Sequence, residues 1–348
     1  MKKNVLSIAL TLSAAVAFAQ GNVSTVSSTG NGNAANVSQT GNVNVAGITQ
    51  VGNNNTANQT QTGTSNDAYI EQTQTGNTAT QVQTGTNNYG HIWQIQNADN
   101  NNALQTQSGL QNVAYADFWN GQFNNSNQTQ SGDYNFGYVL LGGNYNAGTQ
   151  TQTGQSNYAV LQAWGTSNTG TQTQSGVSNE AWMYQSGDNN GAFQWQNGTD
   201  NYALLQQLGN SNNANQWVWP TGDLNQQRAY QGGNGNRVFQ IARGNSNIAE
   251  VNQSGDGNSA EQGQGFQSMG GFGSYISYSP SDWNDAEIDQ DGVGNSAQQY
   301  QIGAGGHSAL TTQNGSSNSA VTLQSGNGHV STITQMGAGN TANVSQSN

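Results

Sequence analysis

The chain contains no cysteine and only two prolines, Pro220 and Pro280, in 348 residues. Without cysteine there is no disulfide framework, so stability has to come from packing and hydrogen bonds. Positive charge is nearly as scarce, with five Lys and Arg against seventeen Asp and Glu. Lys2 and Lys3 precede a mostly apolar run from Val5 to Phe18, and Ala17-Phe18-Ala19 stands ahead of Gln20. This is the pattern of a secretory signal peptide over residues 1–19 rather than of a transmembrane anchor, so the mature chain is expected to be exported. Beyond it only Arg228, Arg237 and Arg243 remain, a formal charge of −14. Such a chain has little with which to hold nucleic acid or an anionic membrane.

What the chain has in quantity is glycine, 47 residues of it, together with Asn and Gln in strict register. From Gly176 it reads G-V-S-N-E-A-W-M-Y-Q-S, then G-D-N-N-G-A-F-Q-W-Q-N, then G-T-D-N-Y-A-L-L-Q-Q-L: Gly opens, Asn follows after three places, Ala after five, Gln after nine. The same eleven-residue frame holds Asn33, Ala35 and Gln39 at the start, Asn247, Ala249 and Gln253 later, and Asn340, Ala342 and Gln346 at the finish. Roughly 27 such units fill residues 30–348, which leaves no room for a second domain. Abundant Gly, Asn and Gln with low charge also describes disordered prion-like chains, but a disordered tract has no use for a register.

Asn, Ala, the residue two beyond Ala and Gln occupy alternate positions, so in an extended chain they share one face. Each unit is therefore a strand, and the glycines between units, among them Gly176, Gly187, Gly198 and Gly209, supply the positive φ of a tight reversal. The position two beyond Ala alternates Gln172, Met183, Gln194, Leu205, Gln216, so the true repeat is two strands, about 22 residues, with a Gln wall facing an apolar wall. The expected fold is all-β: a parallel, amyloid-like β-solenoid of about 13 rungs spaced ~4.8 Å apart. Its dry interior is assigned to Asn179, Ala181, Gln185, Asn190, Ala192, Gln196, Asn201, Ala203 and Gln207, with each amide paired to its copies above and below. Both prolines fall where the period fails, Pro220 between Gly209 and Gly222 and Pro280 in an insertion at 267–280, as expected of a residue that cannot donate to a ladder. Residues 20–29 read as a separate N-terminal segment.

Enzymatic chemistry finds little footing. His91, His307 and His329 stand in different rungs and read as surface histidines, none spaced with carboxylates as metal ligands or as a nucleophile's base. Asp282, Asp285, Glu287, Asp289 and Asp291 form the densest acidic run, with no Lys or Arg nearby. Three of them alternate with the core and make an acidic outer face suited at most to weak calcium binding. No cofactor and no metal is expected. On the outer face of the apolar-walled strands Tyr89, Trp93, Tyr115, Phe136, Tyr138, Tyr158, Trp182, Tyr184 and Tyr202 form an aromatic stripe, read as an exposed surface for bundling or adhesion, or as a ladder of rings. The other outer face carries Thr149, Thr151, Thr153, Thr169, Thr171 and Thr173, a flat array that opens an ice-binding alternative.

The repeats resemble the curlin repeat, whose second strand is written Gly-x-Gly-Asn-x-Ala-x-x-x-Gln. Gly292-Val293-Gly294-Asn295-Ser296-Ala297 to Gln301 and Gly337-Ala338-Gly339-Asn340-Thr341-Ala342 to Gln346 match it letter for letter. Two features depart from the family's major subunit: the repeats are far more numerous, and its first-strand Ser is mostly Asn here, as at Asn179 and Asn201. The resemblance implies a secreted subunit of curli-type amyloid fibres, or a minor nucleator or adhesin of such fibres, assembling outside the cell in a biofilm. As partners it implies further copies of itself, an outer-membrane secretion channel and a nucleating homologue. Independently, the last unit keeps register through Asn340, Ala342, Val344 and Gln346 with no stopper, so the two terminal rungs are expected to template further copies end to end.

Overall fold

In a computed structural model that describes residues 21–219, 222–268, 275–277 and 280–348, the chain is a parallel β-solenoid with no helix among the described residues. The leader stretch and Pro220 lie outside the described residues. Two fourteen-stranded sheets form its walls. The first runs from Val23–Thr29 through Val45–Asn53 and every second strand to Val330–Ala338, and the second from Ala34–Asn42 to Thr341–Ser347. There is one rung more than the spacing suggested, because residues 20–29 contain Val23–Thr29, which pairs in parallel with Val45–Val51. Pairing keeps one register, so that Gln150, for example, lies between Gln128 and Gln172, apart from a shift between Gly303 and Gly305.

The alternation sets the walls. Ile48, Ile70, Ile92, Leu161, Leu205, Val251 and Ile288 line the inner face of the first sheet and are all but inaccessible. Gln59, Gln81, Gln105, Gln172 and Gln216 stand opposite on the second sheet, equally buried. A few rungs are longer than 22 residues: 24 separate Asn77 from Asn101 and Asn201 from Asn225. The extra residues are absorbed at the corners, and the columns continue unbroken.

Two residues per corner are left-handed. Gly176, Gly187, Gly198 and Gly209 have φ of +116°, +113°, +130° and +118°. At Gly187 a Cβ would overlap the carbonyl oxygen of Gly209 in the next rung, so stacking of turn on turn excludes a side chain as firmly as φ does. The residue just before each column Asn is also left-handed but is usually not glycine: Ser178, Asn189, Asp200 and Ser211 have φ between 54° and 58°. Tyr134, Leu224 and Trp283 take the same conformation, their side chains exposed at the corners.

The insertion after Gln264 is an antiparallel hairpin, Phe266–Ser268 against Tyr275–Ser277, and not a modified rung. It leaves the ladder intact: Gln253 donates to Gln290 at 2.8 Å across 37 residues of chain. Pro280 is exposed at the hairpin's exit.

Gly187→Ala is expected to cost ~1–3 kcal/mol of unfolding free energy, because a left-handed residue gains a Cβ against backbone. Gly235→Asn is expected to change stability by less than ~0.5 kcal/mol, since φ there is +67° and nothing lies within 4 Å of the added carbon. Denaturant unfolding of the two variants checks both.

Candidate assembly surfaces

The interior is a set of amide columns. Asn179 donates its backbone N–H and its Nδ2 to Asn157 Oδ1 at 3.1 and 3.0 Å, sends Nδ2 also to the Gly198 carbonyl at 2.9 Å, and accepts the Asn201 N–H on Oδ1 at 3.2 Å. One side chain thus closes the ladder and pins the turn. Gln185 donates to Gln207 Oε1 at 2.9 Å and Gln207 to Gln231 at 2.9 Å, while Gln207 also reaches the Gly191 carbonyl in the facing sheet at 3.1 Å. Ala181, Asn190, Ala192, Gln196, Asn201, Ala203, Asn247, Ala249 and Gln253 are all buried. Between Gln94 and Gln185 this Gln column holds Phe118, Leu141 and Ala163 instead, three apolar residues in consecutive rungs, fully buried.

At both ends the same columns come to the surface. Asn33, Ala35 and Gln39 in the first rung and Ala342, Val344 and Gln346 in the last are half-buried, and Asn340 is exposed, whereas their counterparts inside are closed off. Inside, the first N–H of each strand donates to the column Asn or His of the next rung: Ser319 to the Asn340 carbonyl at 2.8 Å, Ser308 to the His329 carbonyl at 2.9 Å. By that register the Val330 and Thr341 N–H groups point out of the last rung.

The outer faces differ from expectation in two respects. Tyr89, Trp93, Tyr115, Tyr138, Tyr158, Trp182, Tyr184 and Tyr202 lie on the outside of the first sheet, but all are half-buried rather than exposed, because the ~4.8 Å rise lays rings on one another. Phe136 stacks on Tyr158 with centroids 4.6 Å apart and planes 8° from parallel, and Tyr115 is 5.6 Å from Tyr89. The second sheet carries a further cluster of Phe193, Trp195, Trp217 and Phe239, directly above a patch in which Thr149 pairs with Thr171 and Thr151 with Thr173. Asp285, Glu287 and Asp289 do share the first sheet's outer face, next to Glu250, and burial with that neighbour raises the pKa of Asp285.

Among these aromatics one carboxyl is enclosed. Asp117 is 6% exposed, accepts the Tyr138 hydroxyl at 2.9 Å, and burial pushes its pKa up to about 6. His91, packed on Trp93 at 3.8 Å and 3.7 Å from Glu71, is also buried, and loss of hydration pulls its pKa down to about 4. His307 is buried as well, so two of the three histidines are not surface residues. His307 and His329 stand in the Asn column itself, after Asn247 and Asn284, with rings stacked 5.4 Å apart. The signal was in the spacing: each histidine lies two places before the residue of the Ala column, Ala309 or Ser331.

Stacked, near-identical rungs with an open edge at either end define the class: an amyloid-like β-solenoid. Within that class, residues 30–63, 308–337 and 315–347 match the family model of the curlin associated repeat. That family is one of structural fibre subunits. Among curated proteins no sequence matches the chain.

Gln207→Leu is expected to cost ~2–4 kcal/mol, since it leaves Gln185 and Gln231 each short of a partner in a buried column. The apolar run at Phe118, Leu141 and Ala163 confines that cost to its border, where Gln185 Oε1 is buried without a partner. For Asp117 the folded pKa of about 6 exceeds the ordinary 3.8. Its charge therefore costs nothing below pH 4 and progressively more as pH rises through 6, reaching ~2–3 kcal/mol. Asp117→Asn should match the parent's stability near pH 4 and exceed it at pH 7, as read by denaturant unfolding at the two pH values.

Proposed function

We propose that the chain is a secreted structural subunit that polymerises end to end into extracellular curli-like amyloid fibres, serving a biofilm matrix and surface adhesion. The observation that carries this reading is the match between the two terminal rungs. In the second sheet each opens the same Asn, Ala and Gln columns to solvent, and in both sheets each presents an unpaired strand edge, which templates another chain of the same register. A copy added on Val330–Ala338 and Thr341–Ser347 meets the next copy's Val23–Thr29 and Ala34–Asn42 and continues both sheets at ~4.8 Å. The contact is head to tail, so it does not close and gives filaments. Export by an outer-membrane channel and nucleation by a homologue follow from the curlin relationship.

The protein without its leader, incubated in buffer, is expected to form unbranched fibres by electron microscopy with a ~4.8 Å axial repeat. Val330 and Thr341 open their strands, where proline is tolerated, and their N–H groups point toward the incoming copy. The double variant Val330→Pro, Thr341→Pro should keep the parent's circular dichroism yet elongate seeds at least tenfold more slowly. Elongation at the parent's rate would refute templating by the terminal rung.

A further inference from the structure

The first-sheet Asn column starts at Asn22 and ends at His329, and its two ends are complementary. Along the column each residue's backbone N–H donates to the side chain one rung earlier: Asn44 to Asn22 Oδ1 at 2.9 Å, Asn66 to Asn44 Oδ1 at 3.0 Å, His307 to Asn284 Oδ1 at 3.2 Å. The last such bond runs from the His329 N–H to Nδ1 of His307 at 3.2 Å. An Nδ1 that accepts cannot carry a proton, so the His307 proton sits on Nε2, which faces the Ile302 carbonyl at 3.2 Å. His329 repeats the arrangement: its Nε2 lies 2.9 Å from the Ser325 carbonyl, leaving Nδ1 as the acceptor that ends the column. At the other end, Asn22 Nδ2 is buried without a partner. Asn66 and Asn88 send that same atom to the Asn one rung before them, at 3.1 and 3.0 Å.

We infer that the joint between successive copies is made by His329 of one chain and Asn22 of the next, and that it forms only while the His329 imidazole is neutral. This rests on the end-to-end reading above. In the joint the Asn22 N–H of the arriving copy takes the single His329 Nδ1 lone pair, as the His329 N–H takes that of His307. Protonation turns that atom into a donor facing donors, and the joint loses its acceptor. The second-sheet joint, Asn340 to Asn33, has an amide on both sides and does not titrate. One face of the fibre contact is thus pH-sensitive and the other is not.

The surroundings leave the two imidazoles as the groups that respond. From Ile302 to residue 348 the only titratable side chains are His307 and His329, and from Gly21 to Asn66, the two rungs that meet them, there is none. The nearest acids are Asp282, whose carbonyl accepts the Gly306 N–H, and Asp285, which points outward beside Asn284. Neither carboxylate forms an ion pair with His307 or His329. Burial, and then the neighbouring His329, hold the His307 pKa below its ordinary value against the bond to Ile302. Its neutral form is therefore the folded one: stability from this site is complete above the unfolded pKa of about 6.5 and is lost as pH falls below it.

The test is seeded elongation followed by thioflavin fluorescence and microscopy at pH 7.5 and 5.0, with parent, His329→Asn and His329→Ala, each on its own seeds. The parent is expected to slow at least tenfold at pH 5.0. His329→Asn, which restores the column residue, should elongate at similar rates at both pH values, and His329→Ala, which deletes the acceptor, should be slow at both. A parent indifferent to pH, a His329→Asn variant that slows in parallel with it, or a fast His329→Ala variant each overturns the joint. If neither parent nor His329→Asn grows from seeds at pH 7.5, the end-to-end reading fails with it.

Discussion

A buried amide must be paired, and in this solenoid the pairing partner is the same side chain one rung away. That constraint governs the rest. An Asn or Gln in a dry interior costs ~1–3 kcal/mol for each group left without a bond, and a column of identical residues at ~4.8 Å removes that cost over most of its length. The column must then be straight and in register, so the period cannot drift. Where rungs lengthen, the excess is pushed to the corners or, after Gln264, into a hairpin outside the ladder.

The same requirement explains the turns. Asn179 bonds to Asn157 and to the Gly198 carbonyl at once, so the residue before it is held left-handed whatever its identity. Ordinarily a Tyr, Leu or Trp avoids that conformation. Here Tyr134, Leu224 and Trp283 accept it because the Asn that follows is fixed by its column. Glycine predominates at the other corner position, where turns lie directly on turns.

A ladder satisfied by its neighbours is by construction unsatisfied at its ends, and this joins fold to function. The columns that end at Asn22 and Asn33 on one side and at His329 and Asn340 on the other are complements of each other, and on this rests the proposal that the chain's partner is a further copy of itself. Where a neutral amide would make the contact insensitive to its surroundings, an imidazole ties it to the proton concentration. The enclosed Asp117 and His91 respond to pH too, but they sit inside the rod, in the fifth and fourth strands of the first sheet, and act on its stability.

Spacing alone was sufficient for the period, the two-strand rung, the Gln wall facing the apolar wall, and the identity of the columns at Asn179, Ala181 and Gln185, because side-chain direction in an extended strand alternates regardless of context. Which outer residues touch, how deeply they are covered and which corners are strained depend on the rise between rungs and on the path of the chain at each turn. No local pattern carries these. Hence the aromatic residues around Tyr115 and Tyr158 were legible as a stripe but not as half-buried, mutually stacked rings, and the strand Val23–Thr29 was hidden by Ser24 and Ser28 standing where Ala and Gln recur. His307 and His329 are the clearest case: the sequence places them in the frame, but only the stacked column shows that an imidazole nitrogen replaces an amide oxygen as the last acceptor of the rod.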